Sequence, residues 1–313
     1  MPHQAPPPYT MSWKAKCIYY CMKALGALPR VLLYAFSDVI AWTLYSIIGY
    51  RKAVVQQQLL ASFPNTNPTQ LRLLTKGVYQ YLADLFVEFC MLAHMNEEKL
   101  KQSISLEGVE NLEALYQKGH KQVYLALGHY GNWEWFTGFQ QFLKFTQMYV
   151  LYKPQSAVTE EVMNALRSKF GALLIDKNQA PRTVLRLAKN GDNTLLIFVA
   201  DQTPSVQNIH LFVNFLNRST AVFTGMERMA AKTHSPVCYL DVFAEKRGQY
   251  RCVVEVLCED ASQWPEGEVT TMFMKRLEQT ILRRPSLWLW THKRWKHDKE
   301  RLQAKFPNQH IIS

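Results

Sequence analysis

The chain has 313 residues, enough to bury a sizeable core as one large domain or as a domain with a helical extension. Hydrophobic residues make up 48% and charged residues 19%, which excludes a disordered chain, and a mean hydropathy of -0.18 excludes a polytopic membrane protein. Lys and Arg (36) outnumber Asp and Glu (25) by 11, a surplus that suits an anionic partner: nucleic acid, anionic lipid, a phosphorylated substrate or an acidic carrier protein.

Residues 1–12 are Pro-rich and read as a disordered tail, without the basic start or cleavage site of a signal peptide. Residues 13–50 read as membrane-anchoring helices. The first, over 13–28, is apolar and aromatic but interrupted by Lys14, Lys16 and Lys23, the pattern of a basic helix lying among headgroups. Val31 to Gly49 then runs with Asp38 as its only charge. Its length just spans a bilayer core of about 30 Å, but a central carboxylate costs about 2.5–3.5 kcal/mol on insertion scales. A membrane span and a core helix therefore both stand. Arg51 and Lys52 follow at once, which orients the remainder to the cytoplasm.

Residues 51–300 read as the catalytic domain and 301–313 as a C-terminal tail. Asn67-Pro68 resembles an N-cap with proline at the first helical position, and Leu71, Leu74, Val78, Leu82, Leu85 and Phe89 recur at helical spacing after it. Beyond His94, short apolar strands alternate with amphipathic helices: strands at Val123–Leu127, Met148–Tyr152, Ala172–Ile175 and Thr194–Ala200, with helices from about Asn132, at Thr159–Phe170 and at Pro181–Lys189. This rhythm predicts an α/β fold with a mostly parallel sheet flanked by helices. A helix near Thr224–Lys232 leads into Val237–Ala244 and Tyr250–Leu257, expected as an antiparallel edge pair, and a last helix covers Val269–Arg283. The six cysteines are scattered, lack metal-ligand spacing and read as reduced thiols.

Ligands of open α/β sheets bind past the carboxyl ends of the strands. There the chain places Gly128-His129-Tyr130-Gly131-Asn132-Trp133-Glu134, Lys153-Pro154, Asp176-Lys177 and Asp201-Gln202. His129 and Glu134 lie about 140° apart on a continuous helix, so they meet only if a turn separates strand from helix. Gly128 and Gly131 permit one. A carboxylate on one imidazole nitrogen then fixes the tautomer and leaves the other nitrogen to accept a proton. The alternative is structural: Glu134 favours a helix start and His129 closes a strand. Arg167 likewise reads either as a site residue or as a surface helix residue.

His129-Tyr130-Gly131-Asn132-Trp133-Glu134 resembles the H-x4-D/E signature of glycerolipid acyltransferases. In its H-x-G-N-W-E form it is similar to the late acyltransferases of lipid A biosynthesis, the lauroyl and myristoyl transferases of Gram-negative bacteria. Collinear support covers residues 30–296: Arg51-Lys52 before Phe63-Pro64, Leu106 to Glu110, Tyr152-Lys153-Pro154, Arg167 before Gly171, Asp201-Gln202, and Pro285 with Trp288 to Lys296. The resemblance implies an inner-membrane enzyme, its catalytic domain on the cytoplasmic face, that moves an acyl group from acyl carrier protein to a hydroxyl of an anionic lipid A precursor. It implies His129 as base, Glu134 as orienting partner, and Arg167 as a stabiliser of negative charge. Asp201, Gln202, Lys153 and Asn132 are the remaining candidates for substrate contact. An activated thioester requires no metal or redox cofactor. Two departures leave acceptor and chain length open: Gln58-Leu59 where the family usually has Asn, and Val213 to Arg218 where it has an F-F-G segment. Acyl transfer to another polar lipid, possibly from acyl-CoA, is the nearest alternative. A non-enzymatic protein of anionic membranes or nucleic acid is the distant one, and no nucleic-acid motif is present.

Overall fold

The computed structural model describes residues 11–154, 156–306 and 311–312. The Pro-rich start therefore lies, up to residue 10, outside the described residues.

Two helices open the chain, α1 (Trp13–Gly26) and α2 (Arg30–Trp42), the latter running on through a wider helical turn to Ile48. They pack on α4 (Pro68–His94), which follows the short α3 (Lys52–Ser62). The expected start of α4 is present as a full capping box: the Asn67 side chain accepts from the Gln70 N–H while Gln70 returns a bond to Asn67. Such a cap contributes about 1 kcal/mol to a helix that must run 27 residues.

After α5 (Glu97–Ser103), β1 (Ile104–Glu107) and α6 (Val109–Gln117), the chain enters β2 (Gln122–Leu127), buried along its whole length. β3 (Gln147–Tyr152), α7 (Ala157–Ser168), β4 (Leu173–Asp176), α8 (Ala180–Asn190) and β5 (Thr194–Val199) follow in the expected alternation. A separate hairpin, β6 (Leu211–Phe215) and β7 (Arg218–Val222), was not expected; Leu216 and Asn217 both take positive φ to turn it. Then come α9 (Gly225–Lys232), β8 (Val237–Lys246), β9 (Gln249–Cys258), α10 (Glu268–Arg283) and α11 (Lys299–Lys305). The last helix runs across residue 301 into the segment expected as a tail, and a bridge from Ile312 to Leu211 lies within that segment.

The sheet has seven strands in the order β1-β9-β8-β2-β5-β3-β4, parallel throughout except where β8 meets β9. The β8–β9 pair is antiparallel as expected but does not form the edge. β1 adds beside β9 in parallel, a position its four residues do not advertise, and so takes the edge itself. Local reading also placed a helix from about Asn132; the chain is irregular there, and a 3-10 helix begins only at Trp135.

Glu88 of α4 fastens these layers together. Fully buried, its carboxylate accepts from Tyr34 of α2 (3.0 Å), Asn132 (2.7 Å) and Tyr250 of β9 (2.9 Å), and its backbone carbonyl accepts from the Trp135 indole (2.9 Å). Burial pushes its pKa up to about 7, although the bonds from Asn132 and Tyr250 pull it back. A folded-state carboxyl pKa above the unfolded value means that the fold binds the proton more tightly. The contribution of Glu88 to stability is then greatest below about 4.5 and falls as pH rises through about 7, by on the order of 3 kcal/mol. Urea unfolding between pH 5 and 8 should show this loss in the natural chain and a flatter profile in Glu88→Gln; equal slopes would rule out Glu88 as the group responsible.

Candidate active site

The segment leaving β2 is held from several sides. Tyr130 bridges Trp288, the Gly131 N–H donates to the Leu287 carbonyl (3.1 Å), and the Tyr81 hydroxyl of α4 donates to the Gly131 carbonyl (2.8 Å). Two glycines are required here. Gly131 has φ +61°, and a Cβ on Gly128 would lie 2.5 Å from Leu277 and 3.3 Å from an Asp201 oxygen.

β5 lies directly beside β2, with Leu127 level with Val199. Two residues further on, His129 and Asp201 are therefore neighbours. His129 Nδ1 sits 2.5 Å from Asp201 Oδ1, the His129 backbone N–H donates to Oδ2 (2.9 Å), and the Trp288 indole N–H donates to the same oxygen (2.7 Å). Asp201 is 2% exposed. Burial alone would raise its pKa, but the charge of the His129 ring and the donors from His129 and Trp288 outweigh it and bring the pKa to about 2. An ionised Asp201 requires Nδ1 to carry a proton, leaving Nε2 as the basic nitrogen. The Gln202 amide nitrogen, which can only donate, lies 3.1 Å from Nε2, in keeping with that tautomer. The Trp133 ring meets the imidazole edge-on at 4.8 Å, further restricting its rotation.

The orienting carboxylate is thus Asp201 and not Glu134. Through the Gly131 turn the chain carries Glu134 toward α7, where Arg167 grips it with two bonds, Nε to Oε2 (2.7 Å) and Nη2 to Oε1 (2.6 Å). The Trp133 indole donates a third, at 3.1 Å. Burial lowers the Arg167 pKa, but Glu134 outweighs it and the net change is upward. Asn132, expected at the substrate, is fully buried, its side chain shared between Glu88 and the Trp135 N–H. The polar atoms of that amide are used up in holding the turn. Lys153 is exposed just past β3.

A shallow cleft over the histidine is lined by His129, Asp201, Gln202, Trp288, Leu289 and His292, and is too tight to enclose a water molecule. Trp288 and His292 belong to the C-terminal tryptophan-rich segment, whose motif was visible in sequence although its place against Asp201 was not. Burial, then the nearby Lys296, lower the His292 pKa to about 4, so its ring is neutral at pH 7; its Nε2 lies 3.3 Å from the Thr203 N–H. Gln58, one of the two departures from the family pattern, holds this segment in place. Its amide donates to the carbonyls of Trp290 (2.7 Å) and His292 (3.0 Å) and accepts from the Arg294 N–H (2.8 Å). Phe215, in the other departure, packs on Trp288 with ring centres 5.8 Å apart.

With Glu134 5% and Arg167 17% exposed, removing one partner strands a largely buried charge. Glu134→Ala should destabilise the protein by on the order of 3 kcal/mol, and adding Arg167→Ala should recover part of that loss. A double-mutant cycle in urea checks this; strictly additive effects would mean that the pair contributes no coupling.

The chain matches the family described as bacterial lipid A biosynthesis acyltransferase over residues 7–297. No curated protein matches it. The family match takes in the sheet, the His129 cleft and the tryptophan-rich segment that closes it, nearly the whole length of the protein. The chain belongs to the bacterial lipid A biosynthesis acyltransferase family.

Proposed function

We propose that the protein transfers a fatty acyl group from acyl carrier protein to a hydroxyl of a lipid A precursor, with His129 as the general base. The carrying observation is the imidazole whose Nδ1 faces the buried Asp201 carboxylate at 2.5 Å while Nε2 borders the cleft. In this reading the acceptor hydroxyl displaces the Gln202 amide from Nε2. Nε2 takes its proton as the oxygen attacks the thioester carbonyl, and a tetrahedral oxyanion forms. The intermediate collapses by breaking the carbon–sulfur bond, and the imidazolium returns the proton to the departing thiolate. Asp201, ionised throughout, stabilises the imidazolium between the two transfers. Arg167 commits Nε and Nη2 to Glu134, and its Nη1 is the donor assigned to the oxyanion.

Ligand pockets commonly measure about 300–1,000 Å³, and the cleft is far smaller. The acyl chain is therefore assigned to the outside of the cleft, along the protein surface. The outer faces of α1 and α2 support a bilayer nearby: Trp13, Val31, Val39 and Trp42 are each more than half exposed. The helix Arg30–Ile48 has 19 residues, with 17% of its apolar window buried. Its one carboxylate, Asp38, pairs with Arg247 at 2.8 Å. These features, with the surplus of 11 positive charges, suit an enzyme on the cytoplasmic face of the inner membrane that meets an acidic carrier and a phosphorylated acceptor.

His129→Ala should lower turnover about 10²- to 10⁴-fold; urea unfolding of the variant, which also removes one donor from Asp201, separates that loss from any loss of stability. Asp201→Asn should lower kcat by a comparable factor, because an amide no longer enforces the Nδ1–H tautomer. Steady-state assays with acyl carrier protein and acyl-CoA donors, each against several hydroxylated lipid acceptors, measure both effects and identify the donor. Turnover of His129→Ala within tenfold of the natural chain would refute the base assignment.

A further inference from the structure

At the elbow between α1 and α2 lies a cavity of about 300 Å³ whose lining residues are all distinct from those of the His129 cleft. Its polar lining is Arg30, His94, Lys99 and Gln102, and the side chains of Met91 and Met95 complete it from the end of α4. The elbow is fixed by close packing: a Cβ on Gly26 would lie 2.0 Å from the Cys90 carbonyl oxygen, so α1 rests directly on the α4 backbone. The Arg30 guanidinium is anchored by its bond to the Ser103 hydroxyl (2.6 Å).

Among the described residues, no carboxylate lines this cavity. The nearest acids in sequence, Glu97 and Glu98, bond to Lys101 and Gln102 on their own helix. Neither Arg30 nor Lys99 forms an ion pair among the described residues. Two further lysines stand close by. Lys169 donates to the last carbonyls of α4, those of Leu92 (2.8 Å) and Ala93 (2.7 Å). Burial and then Lys23 bring its pKa down to about 8, and His94 is lowered by burial and then by Lys99, Lys169 and Lys23. Basic side chains thus gather at the elbow, and a bound anion would oppose the lowering of the Lys169 and His94 pKa values. The positive end of α2 adds to the same field, since Pro29 supplies no side-chain cap there. Leu28 in the lining is 44% exposed, and Val31 and Leu32, next in sequence to Arg30, are exposed apolar residues at 80% and 56%. Basic donors gathered beside exposed apolar residues suit a phosphate carried at a lipid surface.

We propose that this cavity is a binding subsite for a phosphate group, presented by a membrane lipid and held by Arg30, His94 and Lys99. The assignment does not depend on acyl transfer, and its test reads binding alone.

The full-length chain is sedimented with phosphatidylcholine vesicles with and without phosphatidylglycerol, and binding of inorganic phosphate is measured separately by calorimetry. A basic residue at an anionic surface contributes about 1 kcal/mol, or roughly fivefold in binding. Arg30→Ala/Lys99→Ala should therefore lose roughly 25-fold in binding to the phosphatidylglycerol vesicles. Lys189→Ala/Lys275→Ala, the same charge change at exposed positions of α8 and α10, should lose markedly less. Lys99→Ala alone, which breaks no ion pair, should lose about fivefold and keeps the test valid if the double variant is unstable. Loss of inorganic phosphate binding in the Arg30/Lys99 variant, with vesicle binding intact, would keep the phosphate subsite but refute its presentation by a lipid and assign it to free phosphate. Equal losses in the two double variants, together with no phosphate binding by the natural chain, would overturn the proposal.

Discussion

A carboxylate taken out of water must be compensated or it protonates. Asp201 meets that constraint with three donors, from the ring and backbone of His129 and from the indole of Trp288. Each donor arrives on a different piece of chain from the acid, so satisfying the charge also assembles the site. The end of β2, the end of β5 and the tryptophan-rich segment are brought to one point by a single buried acid. The N-terminal region reaches the same point, because Gln58 of α3 and Arg51 before it bond to the backbone of Trp290, Thr291, His292 and Arg294. A change that weakens Asp201 therefore affects both the alignment of the imidazole and the closure of the fold over it.

Beside this pair stands a second charged unit with a different task. Glu134 is held by Arg167 and the Trp133 indole, and the Trp133 ring in turn rests against His129. The unit acts on the imidazole through packing, without a hydrogen bond to it. Behind it, Glu88 holds Asn132 and the Trp135 region from α4. The signature turn is thus clamped between two carboxylates of contrasting character. One is kept ionised by its donors, while the other is driven toward neutrality by burial. Holding so irregular a segment to a defined geometry requires this density of polar contacts, since no helix or strand ladder is available to satisfy its backbone.

The N-terminal helices connect to the same network. Tyr34 of α2 bonds to Glu88, and Ser37 bonds to Asp84 at 2.6 Å, so one face of α2 is fastened to α4 while the opposite face stays apolar and exposed. The helix carrying that apolar outer face is thus joined, through α4, to the turn that carries the histidine.

Much of the architecture was legible locally. The alternation of apolar strands and amphipathic helices, the Asn67-Pro68 cap and the glycines around His129 each reflect short-range rules of periodicity and backbone freedom, and those rules operate within a few residues. His129, Glu134, Asp201 and Gln202 were picked out because they follow strand ends, and Arg167 through the family pattern; the structure places His129 beside Asp201 and Gln202 and pairs Glu134 with Arg167. What the amino-acid order did not reveal is which carboxylate faces the imidazole. Glu134 is five residues away along the chain, yet Asp201, 72 residues away, is the one in contact. Only the insertion of β5 beside β2 decides this, and strand order is a property of the whole sheet. The same reason explains the edge position of β1, the burial of Asn132 and the cluster of cations at the α1–α2 elbow. Each depends on elements distant in sequence packing together, and no local pattern encodes that proximity.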